Sequence, residues 1–166
     1  MFNNKYLLKF ATNTQLVGTK ELNIKNKKAR FSYFLEDEYD AGIILSGSEI
    51  KSIRSGKASI VEAFCVLIDN EVWIRNMYVA PYENASFNKH KPKADRKLLL
   101  NKKEITKISK HLKVKGNSIV ALKLFLNQSN WLKVRIACAK GKKLHDKRDD
   151  LKNRDDQREI DRAMKR

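Results

Sequence analysis

The sequence predicts a mainly β protein: an OB-like antiparallel β-barrel with accessory α-helices and a C-terminal tail disordered in isolation. Three observations predict it. Residues 27–140 carry dense apolar runs rich in β-branched and aromatic residues, bounded by turn signals. Only two longer segments in that region switch to helical spacing. Residues 141–166 are almost wholly charged, and their few large apolar residues, Leu144, Leu151, Ile160 and Met164, are too sparse to dock on a core. Several short strands with little helix indicate a small barrel or sandwich, and among small barrels the OB-fold is the one most tied to nucleic acid.

The elements follow in chain order. Residues 1–26 are polar and rich in Asn and Lys, with one short apolar patch at Tyr6-Leu7-Leu8, and read as a disordered basic extension. Residues 33–45 hold aromatic and β-branched positions interrupted by Glu36-Asp37-Glu38, which predicts two strands or one bent strand. Ser46 and Glu49 stand three apart, a capping-box signal, followed by Ile50 and Ile53 at helical spacing and a stop at Gly56. Runs 60–68 and 72–79 form a hairpin across Asp69-Asn70. Residues 81–97 lack a period and carry Lys89, Lys91, Lys93, Arg96 and Lys97, the pattern of a long basic loop.

Asn101 opens the second helix, with Glu104 in the reciprocal capping position and Ile105, Ile108 and Leu112 along one stripe before Gly116. Runs 119–126 and 131–139 make a second hairpin. On its last strand Leu132, Val134, Ile136 and Cys138 share one face, and Trp131, Lys133 and Arg135 share the other. In the tail, Asp150 with Arg154 and Asp161 with Lys165 are favourable i,i+4 pairs.

Charge narrows the function. The chain has 36 Lys and Arg against 19 Asp and Glu, a formal net charge of +17. Such an excess raises self-repulsion, which a polyanion relieves, and counterion release from phosphates drives that binding. Residues 140–166 hold eleven cations and seven anions, so most of the excess lies on the part before them. No apolar stretch is long enough to span a bilayer. Cys65 and Cys138 lie in apolar runs without Cys or His at ligand spacing, which predicts two buried thiols in a reducing compartment. His145-Asp146 are adjacent, and adjacent residues on a helix do not face each other. The acids Glu36, Asp37, Glu38 and Asp40 point in different directions along a strand, a poor metal cage. Glycine-rich nucleotide loops and the zinc-protease signature are absent. The expectation is a binding protein, not an enzyme, with no cofactor.

Four ordered blocks carry a specific resemblance. The first is Lys28-Ala29-Arg30, Tyr33-Phe34 and Ala41-Gly42-Ile43; the second runs from Gly47 through Ser48, Glu49, Ile50, Lys51, Ser52, Ile53, Arg54, Ser55, Gly56 and Lys57 to Ala58. The third is Arg96-Lys97-Leu98-Leu99-Leu100-Asn101 with Glu104-Ile105. The fourth is Ala139-Lys140-Gly141-Lys142-Lys143-Leu144-His145-Asp146-Lys147-Arg148. Over about residues 27–166 the chain resembles the SsrA-binding protein family, with Phe31 where that family usually has His.

The resemblance implies a barrel over 27–140 that binds the tRNA-like domain of transfer-messenger RNA. It also implies a tail over 141–166 that becomes helical in the mRNA channel of a stalled ribosome. It further implies delivery of that RNA for trans-translation, with the elongation factor that carries aminoacyl-tRNA as an indirect partner. A cytoplasmic monomer is expected, with no membrane partner. By position, Asp40 (where the family usually has Glu), Leu99 and Lys133 match RNA-binding residues. Gly141, His145, Asp146, Lys147 and Arg148 match the ribosome-contacting segment, to which Lys140, Lys142 and Lys143 are added. The residues themselves nominate Lys27, Lys28, Arg30, Lys51, Arg54, Lys57, Arg96, Lys97 and Lys133 for phosphates, with Tyr33 and Trp131 for stacking and Asn101 beside them; Tyr33 reads equally as a core aromatic. The competing reading is a general OB-fold RNA chaperone or ribosome-assembly protein, which shares the basic barrel and has no need of the tail motif.

Overall fold

The computed structural model describes residues 22–82 and 90–164. Most of the expected N-terminal extension, Lys89 of the basic loop, and the Asp150–Arg154 and Asp161–Lys165 pairs lie outside what is described. The elements in order are β1 (Asn23–Lys25), α1 (Ala29–Ser32), β2 (Tyr33–Ile43), α2 (Gly47–Arg54), β3 (Ala58–Ser59), β4 (Phe64–Ile68) and β5 (Glu71–Arg75). Then come β6 (Tyr78–Val79), β7 (Arg96–Leu99), α3 (Lys102–Leu112), β8 (Asn117–Leu126), β9 (Leu132–Gly141) and α4 (Leu144–Ala163).

Six antiparallel strands close a ring in the order β8-β4-β5-β7-β2-β9 and back to β8, with β1 added beside β8. Closure removes the exposed sheet edges that would otherwise template aggregation. β8 is long enough to pair with β4 and β1 as well as with β9. Val120 and Ile119 face β4, while Lys123, Leu124 and Phe125 face β1. The core inside the ring is aliphatic: Ile53, Ile60, Ile74, Met77, Ile108, Ile119, Leu124 and Ile136 are fully buried. Cys65 and Cys138 are buried free thiols, pushed up by desolvation to about 12 and about 11.

Several boundaries differ from the sequence expectation, each for a physical reason. Of the two readings of residues 33–45, the bent strand holds, with a register shift between Leu35 and Glu38 where the acidic cluster sits, but it stops at Ile43. The 60–68 run begins its strand only at Phe64, because Ala63 N–H closes a turn on the Ile60 carbonyl at 3.1 Å. The 72–79 run breaks at Asn76, whose φ of 58° is left-handed. Its remainder, β6, leaves the ring to pair with β3. Asp69 and Asn70, with φ of 49° and 58°, form the expected tight turn.

Asn23–Lys25 falls within the segment expected to be extension, yet it pairs in register with β8, so the ordered body starts earlier than residue 27. The last part of the expected loop is strand β7, concealed because Arg96 occupies an inward position.

α2 is capped as expected. The Ser46 N–H donates to Glu49 at 2.7 Å. Glu49 and Arg96 are both buried and joined at 2.8 Å, and Arg96 also donates to the carbonyls of Met77, Ala94 and Pro92. Burial alone would raise the Glu49 carboxyl, but the Ser46 and Arg96 contacts outweigh it and hold the group below its ordinary 4.5.

Glu49→Gln leaves a buried guanidinium without its charge partner and should cost about 3–5 kcal/mol, read as a fall in the urea midpoint. Because the folded carboxyl is depressed, its stabilisation is complete above 4.5 and lost as pH falls through the folded value. Acid titration of the urea midpoint below 4.5 should therefore be steeper for the wild type than for Glu49→Gln.

Candidate RNA-binding surface

The outer face of the barrel around β1, β8, β9, β2 and β7 assembles residues far apart in sequence. Strand register sets two rows on it. One row runs Leu99 on β7, Gly42 on β2, Lys133 on β9, Phe125 on β8 and Asn23 on β1. The next runs Asp40, Arg135, Lys123 and Lys25. Paired residues share a side of the sheet, so Asp40, Leu99 and Lys133 meet on one surface. A Cβ on Gly42 would lie 3.3 Å from Leu99 Cβ, so the bare backbone there lets Leu99 lie flat between strands. Leu99 is 52% exposed, unusual for a strand leucine and suited to an apolar contact with a ligand.

Asp40 clamps Arg135 with two bonds, to Nε at 2.6 Å and to Nη2 at 2.7 Å. These bonds hold the Asp40 carboxyl below its ordinary range and raise the guanidinium further. Arg135 Nη1 also lies 3.6 Å from Glu38, which in turn lies 3.8 Å from Arg30. Phe125 underlies both Lys123, 4.6 Å from the ring centroid, and Arg135, 5.6 Å away.

Beside this clamp lies a cleft of about 330 Å³ whose cations are Lys25, Lys27, Arg30, Lys123 and Arg135, with Glu38 as its one anion. Asn26 builds its wall. Its amide donates to the Ala121 carbonyl at 3.0 Å, and its carbonyl accepts from the N–H groups of Lys28 at 3.1 Å and Ala29 at 3.2 Å. That turn fixes the lysine-bearing segment over β8.

Other nominated residues lie elsewhere. Trp131 is 72% exposed at the β8–β9 turn, ahead of β9 itself. Arg54 reaches that turn, donating to the Asn130 carbonyl at 3.5 Å. Lys51 sits over the Tyr82 ring at 5.3 Å, and Lys57 follows α2. Lys28 pairs with Glu62 at 3.4 Å. Asn101 precedes α3 and donates its N–H to Glu104 at 2.8 Å.

Four nominated side chains are engaged within the fold, and for Arg96 and Lys142 this corrects the expectation of a free surface cation. Arg96 has a side chain only 2% exposed with its donors taken internally, so it supports the fold and reaches no phosphate. Lys97 is paired with Glu71 on the partly exposed surface of β7 and β5. Tyr33, partly buried, packs against Ala29, Val120 and Ala139 in a small second cluster under α1, which favours the core-aromatic alternative over stacking. Lys142 is nearly buried as well. Its ammonium meets Asp150 and the Arg30 carbonyl and lies 4.8 Å from the Phe34 ring. It tethers the tail to the barrel.

Two cations of this surface, Lys25 and Lys123, were not among the residues the sequence nominated, whereas Arg135 lies on the outward strand face with Lys133 as expected. Lys123 is the lone cation in an apolar strand, and that signal was readable. Lys25 was hidden in the supposed extension.

The remaining tail residues occupy the exit from the barrel. Lys140 and Gly141 end β9, paired with Phe34 and Tyr33. Lys143, His145, Asp146, Lys147 and Arg148 surround the start of α4, where Asp146 accepts from the Lys143 N–H at 2.9 Å. His145 is 84% exposed, with Nδ1 3.4 Å from Asp149 and 3.8 Å from Asp146. Among the described residues no cluster of three or more His, Cys, Asp or Glu is arranged to hold a metal ion, and no helix is long and apolar enough to cross a membrane.

A closed basic barrel with a cationic strand face and an appended polar helix defines a polyanion-binding protein of the small-barrel class. Its relatives specify which. The family model described as SmpB protein matches residues 23–166, and the chain belongs to the SmpB family. An SsrA-binding protein from Parabacteroides distasonis is 50% identical over 148 residues, covering 89% of this chain and 97% of that one. Its counterpart from Cytophaga hutchinsonii is 51% identical over 143 residues, covering 86% and 94%. The solved structure reported as "tmRNA-SmpB: a journey to the center of the bacterial ribosome" matches with a TM-score of 0.62 at 37% identity, covering 74% of this chain and 86% of that one.

If the strand face grips phosphates, Lys123→Gln and Lys133→Gln should each weaken RNA binding. Each should also flatten the plot of log affinity against log salt by about one unit. Lys97→Gln, whose charge Glu71 already offsets, should leave the slope unchanged. Filter binding across a potassium chloride series reads all three.

Proposed function

We propose that the chain binds the tRNA-like domain of transfer-messenger RNA on the face around Asp40, Leu99 and Lys133 and carries that RNA to stalled ribosomes for trans-translation. The observation that carries this reading is the convergence of those three residues, from three strands, beside a five-cation cleft. Lys25, Lys27, Arg30, Lys123 and Lys133 neutralise phosphates. Asp40 acts through Arg135, holding the guanidinium plane where a backbone or base edge meets it. Trp131 offers a stacking surface at the rim.

The tail serves the ribosome. α4 exposes Leu144, Leu151, Ile160 and Met164 and has no core of its own, so an rRNA-lined channel is the environment that suits it. Lys140, Gly141, Lys143, His145, Asp146, Lys147 and Arg148 contact the decoding centre, with His145 reading by stacking or hydrogen bonding. The protein works by contact in the cytoplasm, as a monomer, without a catalytic step or a cofactor. The elongation factor that carries aminoacyl-tRNA joins through the charged RNA.

Deleting residues 144–166, which spares the β2–β9 ladder, should leave affinity for the tRNA-like domain within about twofold and abolish tagging of nascent chains. Competition with bulk tRNA and single-stranded RNA separates this from a general RNA chaperone or ribosome-assembly protein: selective retention of the tRNA-like domain is expected, and indifference would establish the chaperone instead.

A further inference from the structure

α3 carries a second cationic surface that the strand face does not use. Ile105, Ile108 and Leu112 pack its inner side against the core. At 100° per residue, Lys102, Lys113, Lys110, Lys103 and Lys107 all fall on one arc of about 140° opposite that stripe. No anion shares the arc. Glu104, the helix's one acid, is turned back to the Asn101 N–H. Among the described residues no ion pair engages these five lysines. Lys103–Lys107 and Lys107–Lys110 are like-charge neighbours, each destabilising by roughly a few tenths of a kcal/mol. An ordinary solvent face intersperses Glu among Lys and avoids that cost.

Two features give the surface shape and direction. A groove of about 480 Å³ runs along Lys102, Thr106, Lys110 and Lys113, with Asn70 of the β4–β5 turn as its far wall. In the last turn of α3 the His111 carbonyl accepts from Asn117 at 3.1 Å, and Asn117 pairs with Lys140 where the tail departs. The lysine arc therefore runs toward the base of the ribosome-directed tail.

We propose that this face of α3 is a separate RNA-binding surface that takes the sugar–phosphate backbone of ribosomal RNA. The inference rests on the reading that the chain works on the ribosome. It adds a contact independent of both the tRNA-like domain and the tail.

The test compares the wild type with a Lys107→Gln, Lys110→Gln, Lys113→Gln triple variant and a Lys→Arg triple at the same positions. Each is assayed for binding to the isolated tRNA-like domain and, already bound to transfer-messenger RNA, to purified ribosomes across a potassium chloride series. The Gln triple should lose about tenfold or more in ribosome affinity and roughly two to three units of salt slope. Its affinity for the tRNA-like domain should hold within about twofold, and the Arg triple should keep both. Unchanged ribosome affinity, or an equal loss on the tRNA-like domain, overturns the proposal. A thermal melt matching the wild type shows that the Gln triple is folded, and retention by the Arg triple shows that charge, not fold, is read. Failure of the wild type to select the tRNA-like domain would instead sink the functional reading, so the two failures are distinct.

Discussion

A guanidinium locked inside the protein holds the architecture together. Arg96 ties the start of β7 to Glu49 on α2 and to three carbonyls from the segments that precede it. Removing two charges from water is costly, and only full hydrogen bonding makes such a pair tolerable. Arg96 meets that condition, with its side chain only 2% exposed and its nitrogens bonded to Glu49 and to the carbonyls of Met77, Ala94 and Pro92. The consequence extends three residues along the strand. β7 is short, and its far end presents Leu99 opposite Gly42. Without a fixed anchor at Arg96, the strand that positions Leu99 would have only four residues of ladder to hold it.

From that anchor the outer face follows by register alone. Alternation on β2, β8 and β9 sends Ala41, Leu124, Val134 and Ile136 inward and leaves Asp40, Lys123, Lys133 and Arg135 outward. The same pleat that builds the aliphatic core thus builds the cationic surface, and neither can shift by one residue without destroying the other. Asp40 on this face is a positioning group. An anion in a basic field weakens long-range attraction but fixes a neighbouring fork in place, exchanging a little affinity for geometry.

The sequence made much of this legible. The capping signals at Ser46 and Asn101, the two hairpins and the barrel class all stand because each rests on local chemistry that tertiary context did not override. The misses share one cause. Arg96 reads as a loop cation because composition cannot distinguish a buried, fully bonded guanidinium from an exposed one. The sequence leaves Tyr33 open between stacking and core packing because the small cluster beneath α1 forms only when β2, β8 and β9 come together. Lys25 was passed over because a three-residue strand has no periodicity to detect, only a partner, β8, almost a hundred positions away.

The tether at Lys142 has a mechanical consequence. α4 has 20 residues, hence a rod of about 30 Å. It is joined to the barrel near its root, by the Lys142–Asp150 pair, the Phe34 ring and neighbouring contacts with α1. No apolar stripe along its length has to be unpacked if the rod swings. Its bearing is therefore set at a pivot of a few atoms, and a modest local rearrangement there would sweep the far tip through tens of ångströms while the barrel and its cargo face stay still.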